Sequence, residues 1–144
     1  MGSSVKALNA YLRKCAGRKF EWGVHDCFTF TNGAFAAMYG AGWADDWLGR
    51  YMIDGRPMRR DELRKEFGYS TLTQAIDQRL QRVSYIPPRG SLVTYDGGRK
   101  WVTGAAFGIS VGMRAAFLDR EGVIYIPIEL TQKRWVKNET QFAV

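Results

Sequence analysis

The spacing of apolar residues over the first forty positions predicts two helices. The first covers residues 5–15, where apolar residues recur at intervals of three and four and so share one helix face. Ser4 is suited to cap its start, and Gly17 follows its end. The second should begin at Asp26, whose carboxylate can accept the free amide hydrogens of a first turn, and should end before Gly40.

The remaining pattern predicts an irregular stretch, two short helices and then a sheet. Residues 41–58 are rich in Gly, Trp and Asp and show no regular period. Short helices are expected at 61–67 and 72–80, the second capped by Ser70 or Thr71. Beyond Pro88 the period indicates strands at 91–95, 105–111, 115–118 and 123–128, with tight turns at 112–114 and 119–122 and a last turn or edge strand at 131–135. Helices followed by an antiparallel sheet indicate an α+β fold.

Composition narrows the class of protein further. A chain of 144 residues predicts a single domain, 1–144, and its 46% hydrophobic content is sufficient for a core. No apolar run is long enough to span a membrane, and the first residues lack the blocks of a signal peptide. Two cysteines cannot form a disulfide framework, so synthesis in a reducing cytoplasm is expected.

The net charge of +7 favours an acidic partner. The basic residues are spread thinly and form no long Lys/Arg block, so nucleic acid is not the expected partner. A single histidine and two cysteines twelve positions apart do not make a zinc site, and neither a metal nor another cofactor is expected.

Cys27 is the main candidate for a reactive residue. It follows the predicted cap Asp26 and so opens a helix, whose N-terminus favours an anion and would lower the pKa of a thiol there. Cysteine hydrolases hold their nucleophile in this way. The alternative is structural, because Cys27 also begins the apolar stripe of the second helix, and free cysteine is among the most buried residue types.

Two other groups of residues have competing interpretations. The pair Asp45-Asp46 could act in sugar chemistry, but a solvated helix cap is the preferred interpretation. Trp43, Trp47 and Trp101 could anchor a protein interface or could cover the ends of a small core.

The run Phe20-Glu21-Trp22-Gly23-Val24-His25-Asp26-Cys27 resembles the nucleophile region of NlpC-type cell-wall cysteine peptidases. In the second half, Arg89-Gly90-Ser91-Leu92-Val93 and Ala106-Phe107-Gly108-Ile109-Ser110-Val111-Gly112 are similar to that family's next two strands. The resemblance implies a papain-like, NlpC-like fold in which N-terminal helices, one of them opening at Cys27, pack on a C-terminal antiparallel sheet.

A group of short phage tail-tip proteins, themselves similar to shortened NlpC-type domains, resembles the chain more closely. The shared features are the Trp-Gly-X-X-Asp-Cys run, a segment like Gly49-Arg50-Tyr51, a hairpin like Ala115 to Ile128 and an ending like Trp135-Val136. This resemblance covers most of the chain.

The chain departs from the peptidase pattern at the positions of the general base and of the residue that orients it. Ala106 stands where the family has its general base histidine, and Phe117 and Leu118 stand where a polar residue should orient that base. His25, the only histidine, is two residues from Cys27 and is the remaining candidate base. A thiol nucleophile needs such a base within hydrogen-bond reach. The preferred interpretation of His25 is a turn residue that bonds the local backbone, so Cys27 and His25 are predicted to be at most a vestigial catalytic pair.

The resemblance leads to a structural function as the first hypothesis. It implies a catalytically degenerate domain that mediates contacts between phage tail or baseplate proteins, made in the host cytoplasm and located in the virion tail. The alternative is an active cysteine peptidase or amidase on cell-wall peptides, with Cys27 as nucleophile and His25 or a partner residue as base. Nucleic-acid binding through the positive charge is a third, weaker hypothesis.

Overall fold

A computed structural model describes residues 4–97 and 106–137 of the chain. Within them the helices are α1 (Val5–Cys15), α2 (Cys27–Tyr39), α3 (Arg60–Phe67) and α4 (Leu72–Asp77), with a 3₁₀ turn at Ile128–Leu130. The strands are β1 (Met52–Ile53), β2 (Arg56–Pro57), β3 (Leu80–Val83), β4 (Leu92–Tyr95), β5 (Ala106–Ser110), β6 (Arg114–Asp119), β7 (Gly122–Pro127) and β8 (Arg134–Lys137). None of these helices combines the length and apolar character that a membrane crossing requires.

The ends of the first two helices follow from their capping residues. The Ala7 N–H donates to the Ser4 side chain at 3.1 Å, which satisfies one of the free donors at the start of α1. Asp26 caps α2 in the same way, and Gly40 ends α2 in the left-handed conformation with φ of 90°. The predicted bounds of both helices are confirmed.

Six strands form one antiparallel sheet in the order β3-β8-β4-β5-β6-β7. Strands β5, β6 and β7 form the meander that the two tight turns predict, and β4 pairs with β5 beside it. The expected α+β class, with helices first and an antiparallel sheet after them, is therefore confirmed. The predicted strand 105–111 is observed as Ala106–Ser110, and Ala105 lies outside the described residues.

Two expectations about the sheet are wrong. The helix predicted at 72–80 ends at Asp77, and Leu80 begins β3. The segment predicted as a last turn or edge strand at 131–135 leads into β8, which lies inside the sheet between β3 and β4. Both errors have one cause. Only Leu80 is buried among the four residues of β3, so that strand has too little alternation to be recognised, and without it β8 has no outer neighbour.

The irregular segment 41–58 contains a small hairpin that the apolar pattern did not predict. Strands β1 and β2 pair across Asp54 and Gly55, whose φ angles of 51° and 76° are both left-handed. Asp-Gly is a preferred pair for this type of turn, because both central residues need positive φ. The dipeptide was therefore an available signal for the hairpin.

The sheet has two unlike faces. The inner face packs against α1 and α2 in the main core, to which β5 contributes Phe107 and Ile109. Alternate residues point to the opposite, outer face. There a smaller cluster is buried, made of Val93, Ala106, Ala115, Phe117 and Ile128. Position along a strand therefore decides whether a side chain can approach α2.

Two long connections contact the outer face of the sheet, and the first also reaches α2, where the Tyr39 hydroxyl donates to the Gly90 carbonyl at 3.4 Å. Residues 84–91 join β3 to β4, and the Ser110 hydroxyl donates to the Pro87 carbonyl at 3.4 Å. Residues 128–133 join β7 to β8 and place Ile128 in the outer cluster. The Arg134 guanidinium donates to the carbonyl oxygens of Ser84 at 3.4 Å and Ile128 at 3.1 Å, and so ties the two connections together.

Both edges of the sheet carry features that limit further strand pairing. On edge strand β7, the Val123 N–H donates to the Ala16 carbonyl at 3.2 Å, and Pro127 ends the strand without an N–H. The opposite edge, β3, is four residues long and carries the charged side chain of Arg82.

Replacement of Gly108 in β5 should test the close packing of β5 against β6. A Cβ at this position would collide with the Ala116 carbonyl oxygen and the Phe117 ring. We expect Gly108→Ala to lower the free energy of unfolding by about 1–3 kcal/mol, measured by urea denaturation, because overpacking forces the backbone to shift. Gly17→Ala is the matched control, since no atom lies within 4 Å of the place that its Cβ would take and its effect should stay within about 1 kcal/mol. Equal effects of the two substitutions would contradict the β5–β6 packing.

Candidate functional site

The start of α2 is organised around the carboxylate of Asp26. Its Oδ1 accepts from the backbone N–H groups of Phe28 at 2.9 Å and Thr29 at 3.0 Å. Its Oδ2 accepts from the Gly23 N–H at 2.7 Å and from the Tyr51 hydroxyl at 2.5 Å. The Thr29 hydroxyl in return accepts from the Asp26 N–H at 2.8 Å, which completes a capping box. Asp26 is fully buried, and these donors replace the water that its charge has lost.

The Cys27 side chain lies inside the protein. It is 6% exposed and belongs to the main core cluster. Burial raises the pKa of the thiol to about 12, and the neighbouring Asp26 charge acts in the same direction. Backbone N–H groups of Phe107, Cys27 and Phe28 favour the thiolate, but they do not offset the desolvation. The helix terminus was expected to lower this pKa, and the net effect of the site is the opposite.

Two aromatic side chains pack against each other in the core cluster that contains Cys27. The rings of Phe28 and Phe107 are 5.5 Å apart between centroids and tilted by 32°, and both are buried in the main core. The Phe107 backbone N–H favours the thiolate of Cys27, so β5 reaches the thiol at Phe107. Sequence reasoning assigned no role to Phe107, although it adjoins the predicted base position.

His25 is buried, and its backbone belongs to the turn before α2. Its backbone N–H donates to the Glu21 carbonyl at 2.8 Å, and its carbonyl accepts from the Glu21 N–H at 2.9 Å. The ring meets Phe30 edge-on at 6.2 Å between centroids, and its Nε2 has no hydrogen-bond partner within the described residues. Burial, followed by the nearby Arg18 charge, lowers the pKa of the imidazole, which keeps it neutral at pH 7.

Ala106 occupies the position that the family resemblance gives to the general base, and it points away from the thiol. Its side chain packs on the outer face with Val93 and Phe117, whereas Cys27 packs against the inner face. A side chain at position 106 therefore cannot reach the thiol through the sheet. Phe117, the predicted position of an orienting residue, is also on the outer face, and Leu118 is on the inner one.

The pair Asp45-Asp46 has structural partners. Asp45 accepts from the Asn32 side-chain amide at 2.7 Å and from the Gly42 N–H at 3.0 Å. Asp46 pairs with Arg79 through two hydrogen bonds of 2.6 Å each, and the Arg79 guanidinium lowers the pKa of Asp46. These contacts tie the segment after α2 to its neighbours, and they agree with the preferred non-catalytic interpretation.

Trp43 and Trp47 cover the end of the main core. Both are buried, and their rings meet edge-on at 5.5 Å between centroids. The interpretation as interface anchors is therefore wrong for these two residues, and Trp101 lies outside the described residues.

The described residues include both cysteines and several possible metal ligands. Cys15 and Cys27 are both buried free thiols. In residues 4–97 and 106–137 no three or more His, Cys, Asp or Glu residues come together in a way that could hold a metal ion.

One protein-family model matches the chain over residues 4–136, and it describes a domain of unknown function, DUF6950. No curated protein and no solved structure gives a significant match to the chain.

Loss of the Tyr51 hydroxyl should measure how much its hydrogen bond to the buried Asp26 carboxylate stabilises the fold. We expect Tyr51→Phe to lower the free energy of unfolding by about 1.5–3 kcal/mol, because one donor to a buried charge is lost. Urea denaturation followed by circular dichroism gives the value. Tyr85→Phe removes the same atom from an exposed tyrosine and should change stability by less than about 0.5 kcal/mol. A Tyr51→Phe variant as stable as that control would show that the hydroxyl is not a significant donor to Asp26.

Alkylation by iodoacetamide should show Cys27 as an unreactive thiol. In a Cys15→Ser background, we expect the rate at pH 7.5 to be at least about 10³-fold lower in the native protein than in urea, because a pKa near 12 leaves far less thiolate than the free value of roughly 8.5. The native rate should keep rising with pH beyond the free value of roughly 8.5, near which the rate of an ordinary thiol levels off. Fast alkylation that persists below about pH 7 would instead identify an activated thiolate.

Proposed function

The chain belongs to the DUF6950 family, and from this starting point we propose that it is a structural component of a phage tail tip or baseplate. It would be a catalytically degenerate domain of NlpC-like, papain-like fold that mediates contacts with other tail proteins. Its place would be the tail of the virion, after synthesis in the host cytoplasm. The phage assignment draws on the resemblance of the sequence to short tail-tip proteins.

The burial of the Cys27 thiol is the observation that carries the structural function. A nucleophile must be deprotonated and must touch its substrate, and Cys27 is buried with its pKa raised to about 12. The base position from the resemblance, Ala106, is on the other face of the sheet. The front-half motif is explained by Asp26, whose hydrogen bonds hold the turn and the helix start together.

The contacts of Tyr51 support the resemblance to the tail-tip proteins. That resemblance involves two separate segments, the Trp-Gly-X-X-Asp-Cys run and Gly49-Arg50-Tyr51. The Tyr51 hydroxyl donates to the Asp26 carboxylate, so the two segments meet at a buried hydrogen bond. The two shared segments thus have a structural role, which a domain without catalytic activity would still need.

The outer face of the sheet offers a surface for protein contacts. Tyr85 is 58% exposed, Ile86 is 56% exposed and Leu130 is 48% exposed. They belong to the two connections that Arg134 ties together. Exposed apolar residues grouped on one surface are typical of protein–protein interfaces. The net charge of +7 would favour neighbours with acidic surfaces.

The alternative function is a cysteine peptidase or amidase acting on cell-wall peptides. The position of Cys27 at the first turn of α2 favours it, since backbone N–H groups at that turn could also stabilise an oxyanion. This function would require a rearrangement that exposes the thiol and a base from His25 or from a partner chain. The alkylation experiment on Cys27 separates it from the structural function.

The structural function is tested on phage particles. We expect mass spectrometry of purified virions to find the protein, and deletion of its gene to give particles with defective tails. Cys27→Ala should assemble as well as the wild type, because the thiol has no chemical task in this function. Absence of the protein from purified virions, together with failure to bind any other tail protein, would refute the proposal.

A pair of double variants tests the outer face as the contact surface. Ile86→Asp with Leu130→Asp should reduce incorporation into tails, because it places charges in an apolar interface. Val5→Asp with Val24→Asp is the matched control, since both residues are exposed and belong to segments on the inner side of the sheet. Equal incorporation of both double variants would exclude the outer face.

A further inference from the structure

Helix α3 is poorly covered by the rest of the protein. None of its residues is fully buried, although the apolar side chains of Leu63 and Phe67 pack against the main core. A short helix is normally stabilised by burial of its apolar face. Phe67 meets the Trp47 ring edge-on at 5.3 Å between centroids, but Leu63 and Phe67 also line a cavity, so their burial is incomplete.

The cavity lies between α3, α4 and the sheet and has a volume of about 350 Å³. Its apolar walls are Leu63, Phe67, Leu72 and Phe107. The volume is at the lower end of the range for ligand sites, and it is enough for an apolar side chain with its neighbouring backbone. Phe107 links this cavity to the region of Cys27, since its backbone N–H also favours the thiolate there.

The charged side chains among the described residues that line the cavity are all positive. Arg60 and Arg64 belong to α3, and Lys133 directly precedes β8. Of the described residues that line the cavity, none is acidic, and Ser70, Thr71 and Thr73 contribute hydroxyl groups. Cations beside low-dielectric walls concentrate the field and attract anionic groups.

We propose that this cavity binds an acidic segment of a partner protein, with one apolar side chain inserted between α3 and the sheet and its flanking carboxylates facing Arg60, Arg64 and Lys133. The proposal rests on the tail-contact function and names the chemistry of one partner. Apolar walls select the inserted side chain, and the cations, which come from two separate elements, match carboxylates on both sides of it. The inserted side chain would also complete the burial of Leu63 and Phe67.

The binding is tested with the purified full chain and defined peptides. The probe is a short acetylated peptide with a central phenylalanine flanked by aspartates. We expect it to shift the methyl NMR signals of Leu63 and Leu72, which line the cavity. A peptide with alanine in place of phenylalanine, and one with lysines in place of the aspartates, should each bind at least about fivefold more weakly, as lost apolar burial and reversed charge both reduce affinity.

Two variants assign the binding to the cavity. Lys133→Glu should weaken binding of the acidic peptide by about fivefold, whereas Lys6→Glu, the same charge change at an exposed position on α1, should change it by less than about twofold. Thr73→Phe fills part of the cavity without a change of charge and should also weaken binding. The thermal unfolding midpoint of each variant shows that it is folded.

Three outcomes would overturn the proposal. They are the absence of methyl shifts at millimolar peptide, equal weakening by Lys133→Glu and Lys6→Glu, and equal binding of the phenylalanine and alanine peptides. Because the assay uses no tail protein, its failure would leave the presence of the protein in virions unaffected. Conversely, absence from virions with intact peptide binding would reject the tail function and retain the binding site.

Discussion

The buried carboxylate of Asp26 is the interaction on which the front half of the fold depends. A fully buried charge is costly unless donors surround it, and here the donors come from three segments. The turn before α2 supplies Gly23, the first turn of α2 supplies Phe28 and Thr29, and the segment after α2 supplies Tyr51. One side chain thus sets the entry of the chain into α2 and holds the later segment over it.

The same arrangement explains why the thiol of Cys27, although at a helix start, has a raised pKa. A helix terminus stabilises a neighbouring anion by about 0.3–1 kcal/mol, and up to about 2 kcal/mol in buried geometries. A rise of the Cys27 pKa from 9.0 to about 12 corresponds to a penalty of about 4 kcal/mol on the thiolate. Burial and the Asp26 charge therefore exceed the helix contribution. A motif of this type places a cysteine at a helix start, but the burial of its side chain decides the pKa of the thiol.

Sequence patterns predicted features with local causes and missed those with distant ones. Caps such as Asp26 and Gly40 act on their own helices, so the bounds of α1 and α2 could be predicted. Strand β3 became recognisable only through its pairing with β8, where Arg82 lies opposite Trp135. The candidate thiol was found by its place at a helix start, but its burial in one core cluster with Phe107 depends on which face of β5 that residue occupies. Such a choice of face follows from the register of the whole sheet, and local periodicity does not fix it.

The blunted edges of the sheet have a consequence for how copies of the protein can meet. A strand that ends in Pro127 and whose Val123 N–H is already engaged by Ala16 offers little template to an incoming strand. Chains held at high local concentration would otherwise be prone to open-ended growth through such edges. With strand addition disfavoured at both edges, copies of the chain would have to meet through their side chains. The edge geometry therefore disfavours growth into fibres that are held together by strand pairing.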